Sequence, residues 1–163
     1  MESNIFIRID GVKGDATALG HEGEIDVISW TWAMSQPSRD TSKSRKASID
    51  HITFVHGVGI GTNGLMSMLL NNGLAESAVL SFRRADAQAV SQGMAGRIIP
   101  PPDYLKITLR KVMVNAIEPF GSALGHFERV TLSFNEFKRE YMTQTASGMP
   151  AGVACVQYVL GCA

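Results

Sequence analysis

Apolar residues in this chain recur mostly at alternate positions, the period of a β-strand whose side chains point to opposite faces in turn. Residues 5–9 (IFIRI) predict a short first strand, with Gly11, Gly14, Gly20 and Gly23 marking turns after it. Residues 24–34 (EIDVISWTWAM) predict a second, and its alternation breaks partway. Ile25 and Val27 are apolar at odd positions, whereas Ile28, Trp30, Trp32 and Met34 are apolar at even ones. The same change of parity occurs in three further segments. Ile49 gives way to Ile52, Phe54 and His56; Leu105, Ile107 and Leu109 give way to Val112, Val114 and Ala116; Val130, Leu132 and Phe134 give way to Phe137 and Tyr141. One extra residue at a bulge moves the apolar set to the other face, so four breaks predict long strands that bend sharply. Residues 78–82 and 153–159 add two further strands.

A single helix interrupts this pattern. Thr62 is placed as its N-cap, Leu65, Met66, Met68, Leu69 and Leu70 as its apolar positions, and Gly73 as a left-handed C-terminal residue. At 9 or 10 residues it is marginal alone and must pack on the sheets. Residues 35–46 (SQPSRDTSKSRK) have no apolar period and read as an exposed loop, as does the Ala/Gly/Pro-rich stretch 85–103 with Pro100, Pro101 and Pro102. Bent strands turn the corners of small closed or coiled sheets. The expected fold is therefore mainly β, a small antiparallel β-barrel of two packed sheets with one short flanking α-helix, spanning residues 1–163 as one domain.

Composition narrows the functional classes. The chain has 163 residues, 45% of them hydrophobic, with 15 basic and 15 acidic side chains and zero formal net charge. Zero net charge gives no global attraction to nucleic acid or anionic membranes and little self-repulsion against association. No apolar run approaches the roughly 18 residues that cross a bilayer. The N-terminal segment carries Glu2, Arg8 and Asp10 where a signal peptide needs uninterrupted apolar residues. Cys155 and Cys162 are too few for a disulfide framework and belong to no metal spacing.

Two motifs carry candidate chemistry. Gly59-Ile60-Gly61-Thr62-Asn63-Gly64 matches the dinucleotide fingerprint, follows a strand and opens a helix, with Asp86 about 22 residues on. Its physical rationale is a pyrophosphate at the helix N-terminus. The short helix and the absence of further strand–helix units favour a glycine turn instead. His21, His51, His56 and His126 complete no metal pattern and read as surface or packed structural residues. No nucleophile or paired carboxylates stand in a catalytic arrangement, so no enzyme, cofactor or metal is expected. Arg39, Lys43, Arg45 and Lys46, with Asp40 as the only acid, make the 35–46 loop basic. Without interleaved aromatics, a solvated loop or a charge-matched protein contact fits better than nucleic acid. The shared parity of Trp30 and Trp32 with Ile28 and Met34 assigns them to the core, leaving Ser29 and Thr31 on a polar opposite face.

The stretch IFIRIDGVKG followed by HEGEIDVISWTWAMSQ resembles the hemolysin-coregulated protein family, Hcp, the tube proteins of bacterial type VI secretion. The matching residues are Asp10-Gly11-Val12-Lys13-Gly14, Glu24 to Val27, Trp30, Trp32 and Met34 to Gln36. Weaker similarity continues through 52–54, 63–70, 105–114 and VTLSF with Phe137 and Tyr141. The resemblance implies a tight barrel, six copies in a ring, and rings stacked into a hollow tube that carries small effector proteins. It implies a spike protein at the tip, a surrounding sheath, no catalysis, no nucleic acid and no membrane insertion. Assembly would occur in the bacterial cytoplasm, and export would follow without a signal peptide. Ser29 and Thr31 would then line the channel. Gln36, Arg39, Asp40, Lys43, Arg45 and Lys46 would lie on the loop that reaches a neighbouring subunit or ring. The long 85–103 segment and the apolar cysteine-bearing C-terminus depart from the family pattern. A nucleotide-binding protein using Gly59–Gly64, or a monomeric β-barrel binding module using the basic loop, remain the alternatives.

Overall fold

The computed structural model describes residues 4–36, 47–86, 89–92, 96–144 and 150–160. Two antiparallel sheets pack around one apolar core and share a long two-stranded ribbon. The first strand of the ribbon is β10 (Asp103–Ser122); the second is β11 (Gly125–Ser133) continued by β12 (Glu136–Gln144) along the same edge of β10. The first half of β10 lies in one sheet, between β7 (Ala75–Arg83) and β12. That sheet extends through β1 (Ile5–Ile9) and β2 (Ile25–Asp26) on one side and β13 (Pro150–Val159) on the other. The second half of β10 begins the other sheet, which runs through β11 and β6 (Ile52–Gly57) to β3 (Ser29–Thr31). Two small hairpins stand apart, β4 (Met34–Ser35) with β5 (Ser48–Ile49) and β8 (Val90–Gln92) with β9 (Arg97–Ile99). The second hairpin corrects the expectation of a plain loop over 85–103.

Each parity break falls where the chain changes strand partner. Residues 25–35 form three short strands, β2, β3 and β4, rather than the one strand expected over 24–34. β2 pairs β1, β3 pairs β6, and at the junction Ile28 and Ser29, the first residue of β3, are both exposed. The Val27 N–H donates to Ile5 O and the Ile28 N–H to Val55 O, so this segment stitches the edge of one sheet to the edge of the other. The ladders do not run unbroken around the core; residues 25–31 are the seam. In β10 the break is at Arg110 and Lys111, both exposed, with Lys111 at φ 54°. Opposite it, Asn135 interrupts β11 and β12 and donates its N–H to Arg110 O. Both ribbon strands therefore bend together, as paired bulges do. Residues 50–51 likewise separate β5 from β6, which were expected as one strand.

The core contains Ile7, Ile9, Ile25, Phe54, Leu80, Ile107, Leu109, Val130 and Leu132, each at most 4% exposed. Trp30 and Trp32 are only half-buried against it, edge-on to Phe82 and to Phe137. Ile28 and Met34, which share their parity, are more than half exposed, which corrects their assignment to the core. Both flank breaks in pairing, where the strand no longer lies flat on the sheet.

Helix α1 (Ile60–Leu70) begins three residues earlier than the first reading places it, with Gly59 as N-cap and the Thr62 hydroxyl accepting the Gly59 N–H. It ends with Asn72, not Gly73, in the left-handed conformation, and the Gly73 N–H closes back on Met68 O. Leu65 is fully buried. A Cβ on Gly61 would stand 2.9 Å from Ile25 Cδ1 and one on Gly64 3.1 Å from Val12 Cγ1, so these glycines let the helix sit close on β2 and on the loop after β1.

That loop covers the outward face of β1. His21 stacks on Phe6 with ring centroids 4.3 Å apart. Its Nδ1 lies 2.8 Å from Glu24 Oε2 and its Nε2 2.9 Å from Asp103 Oδ1. Burial by itself lowers the pKa of this imidazole, but the hydrogen bonds to Asp103 and Glu24 outweigh it and raise the value to about 9. A folded pKa above the ordinary 6.5 makes this contribution complete below pH 6.5 and lost as the pH rises through about 9. Urea unfolding should thus lose about 2 kcal/mol of stability across that window after allowance for solvent screening. The same pH slope in His21→Gln would refute the assignment.

Candidate functional site: the polar face of the second sheet

Residues directly opposite one another in a ladder share a face. Register therefore extends the face of Ser29 and Thr31 across three more strands. Ser29 stands beside Val55, Val55 beside Arg129 and Arg129 beside Glu118. Thr31 stands beside Thr53, then Thr131, then Ala116. The intervening rows, Trp30–Phe54–Val130–Ile117 and Ile52–Leu132–Val114, turn inward. The core fixes this division, because a one-residue slip would expose Phe54, Val130 and Leu132.

The outward face is small and polar. Thr53 and Thr131 share a hydrogen bond of 3.2 Å between hydroxyls, and Ser133 donates to Asn115 Oδ1 at 2.7 Å. Among the described residues its ion pair joins Arg129 Nη1 to Glu118 Oε2 at 3.0 Å, with the side chains 49% and 65% exposed. Such a pair contributes on the order of 0–1 kcal/mol and leaves the wall with no net charge. Toward the β10–β11 turn the face ends in an aromatic pair, Phe120 and Phe127, with Arg129 over Phe120. The face offers many weak hydrogen-bonding groups and few strong ones.

Of the residues singled out from sequence, Ser29 and Thr31 lie together on this face and are exposed; Gln36 is exposed at the end of β4. Arg39, Asp40, Lys43, Arg45 and Lys46 lie outside the described residues. Thr53, Thr131, Arg129 and Glu118 were missed. Their positions opposite Ser29 and Thr31 depend on cross-strand register, which no local pattern encodes.

The remaining candidates resolve differently. Strands β6 and β7, on either side of α1, are separated by β10 and β11 with every ladder between them antiparallel, so Gly59–Gly64 opens no parallel β-α-β unit. A carboxylate oxygen of Asp15 lies 2.5 Å from where a Gly59 Cβ would stand. An acid of the chain itself thus sits at the helix N-terminus, where the fingerprint would seat a phosphate. His56 and Glu128 were not foreseen as a pair. They face each other across β6 and β11, Nε2 to Oε2 at 3.0 Å, with each side chain only 2% exposed. Neither atom has the alignment of a hydrogen bond.

Comparison with known proteins gives this fold its class. A family model described as type VI secretion system effector, Hcp, matches residues 6–141. Hcp1 of Pseudomonas aeruginosa is 28% identical over 158 residues, covering 93% of this chain and 91% of that protein. The crystal structure of Hcp1 from Salmonella typhimurium is 28% identical with a TM-score of 0.77, covering 98% of this chain and 96% of that one. A type VI secretion system effector from Yersinia pestis, 24% identical with a TM-score of 0.75 over 96% of this chain and 99% of its own, shares the fold. The chain belongs to the Hcp family, the structural tube proteins of type VI secretion.

Proposed function

We propose that six copies form a ring, that rings stack into a hollow tube, and that the Ser29–Thr31 face lines its channel. The observation that carries this reading is the wall itself. Four strands present a solvent-facing surface of mostly small side chains whose charges, Arg129 and Glu118, cancel, backed by the apolar core. That is a lining against which water and cargo can move. A second observation supports assembly. β13 is an edge strand, and Val153, Val156 and Val159 on it are 57–63% exposed. Edge strands with apolar side chains are templates for pairing with another chain. The partners of such a tube are further copies of itself, a spike protein at its tip, sheath proteins outside it and small effector proteins within. The basic loop with Arg39, Lys43 and Arg45 reaches the next subunit or ring, where weak pairs gain strength by repetition.

Native mass measurement tests the reading. Six copies of a 17.6-kDa chain weigh about 106 kDa, and the expected species is a doughnut of that mass by negative-stain microscopy. Reversing Arg39, Lys43 and Arg45 to Glu should leave the ring and reduce its stacking. A strict monomer at high concentration would remove the proposal, and unchanged stacking would remove the role of the loop.

A further inference from the structure

The dipeptide Asn-Gly occurs twice in this chain, as Asn63-Gly64 and Asn72-Gly73, once toward each end of α1. Both asparagines are exposed. Asparagine before glycine is prone to lose its side-chain amide spontaneously, because glycine places no Cβ in the way of its own backbone nitrogen. The two contexts differ in how that nitrogen is held. Gly64 is the fifth residue of α1, so its N–H belongs to the helical ladder. Its backbone lies close on Val12, and the next residue, Leu65, is fully buried. Freeing the Gly64 nitrogen therefore requires lifting the helix off the core. The bonds around Asn72-Gly73 are local. The Asn71 N–H donates to Ser67 O at 3.0 Å, the Gly73 N–H to Met68 O at 2.8 Å and Asn71 Nδ2 to Ser67 O at 3.0 Å. Asn72 itself is left-handed, with φ at 51°, a region sparsely used by residues other than glycine. Leu70 and Leu74 on either side are exposed, so fraying of this last turn gives up little buried apolar surface.

We propose that Asn72 is a site of spontaneous covalent modification, deamidation to aspartate and isoaspartate, and that α1 shields Asn63 from the same reaction. When the last turn frays, the Gly73 backbone nitrogen gives its proton to hydroxide and attacks Asn72 Cγ. The N–Cγ bond forms, the Cγ–Nδ2 bond breaks, and ammonia leaves with a proton taken from water. Water then opens the cyclic imide at either carbonyl, with no oxidation or reduction. The product carries a carboxylate at the C-terminus of α1, where the helix dipole disfavours negative charge. In isoaspartate the backbone is also longer by a methylene, which draws the Gly73 N–H away from Met68 O. The modification therefore loosens the end of α1 as the protein ages. It uses neither the polar face nor β13, so it stands apart from the tube reading.

The test is prolonged incubation of the intact protein at mildly alkaline pH, once in native buffer and once unfolded in urea. Peptide mapping by mass spectrometry follows the amide-to-acid mass change at each asparagine. In native buffer, conversion at Asn72 should run at least about tenfold faster than at Asn63, because a frayed helix end opens far more often than a packed helix start. In urea the two should convert at similar rates. Equal rates in the folded protein would overturn the proposal. So would a folded sample in which Asn72 stays intact while the unfolded sample converts there. The same preference for Asn72 in urea would assign it to the flanking residues rather than to the helix, and would overturn the proposal as well.

Discussion

Replacing His56 by leucine is expected to destabilise the protein by about 3–5 kcal/mol, against a typical domain stability of about 5–15 kcal/mol. The reason is what the substitution leaves behind. Glu128 is 2% exposed and its Oε2 lies 3.0 Å from His56 Nε2. With the imidazole gone, the acid stays buried without the group that faced it. The double substitution His56→Leu with Glu128→Leu should regain most of the loss, because it removes both desolvation penalties and fills the volume with apolar atoms. Urea unfolding midpoints of the two single variants and the double variant give the coupling directly. A single-variant cost below about 1 kcal/mol would show that the pair is solvated in solution.

Placing glutamate at Val153 and Val156 is expected to abolish the six-membered ring while leaving the monomer folded. The two positions lie on opposite faces of β13 and are 57% and 59% exposed in the single chain. Charges there cost the monomer little. In a ring each would have to be buried or repelled at every one of the repeated interfaces. Losing the burial of two valines costs about 1.5–3 kcal/mol each, so assembly should require at least a hundredfold higher concentration. Sedimentation should show the roughly 106-kDa species replaced by a 17.6-kDa one, with an unchanged circular dichroism spectrum. A ring that survives both substitutions would assign the subunit contact to another surface.

The His56–Glu128 pair shows where sequence reading stopped. Both residues stand on strands that were foreseen, at positions whose parity is inward. Neither strand says what faces it, and a histidine alone reads as a surface or packed residue. The pairing follows from the register of β6 against β11, which is set by Phe54 on Val130 and Ile52 on Leu132. Asp15 is a similar case. The glycine fingerprint was visible in sequence, but the carboxylate at the helix N-terminus arrives from a loop more than 40 residues earlier.

The sequence by itself determined the mainly β class, the one helix, the small polar face at Ser29 and Thr31, and each place where a strand changes sides. These are local properties: alternation, a glycine-punctuated apolar helix, two successive residues that cannot both face a core. It also carried the family, through the paired tryptophans and the turn before them. Only the tertiary structure decided why the parity breaks exist, because each marks a change of partner between two sheets, and partners are chosen by burial over long separations. The same distance between partners in the chain explains why the rest of the polar face and the buried His56–Glu128 pair became visible only after folding.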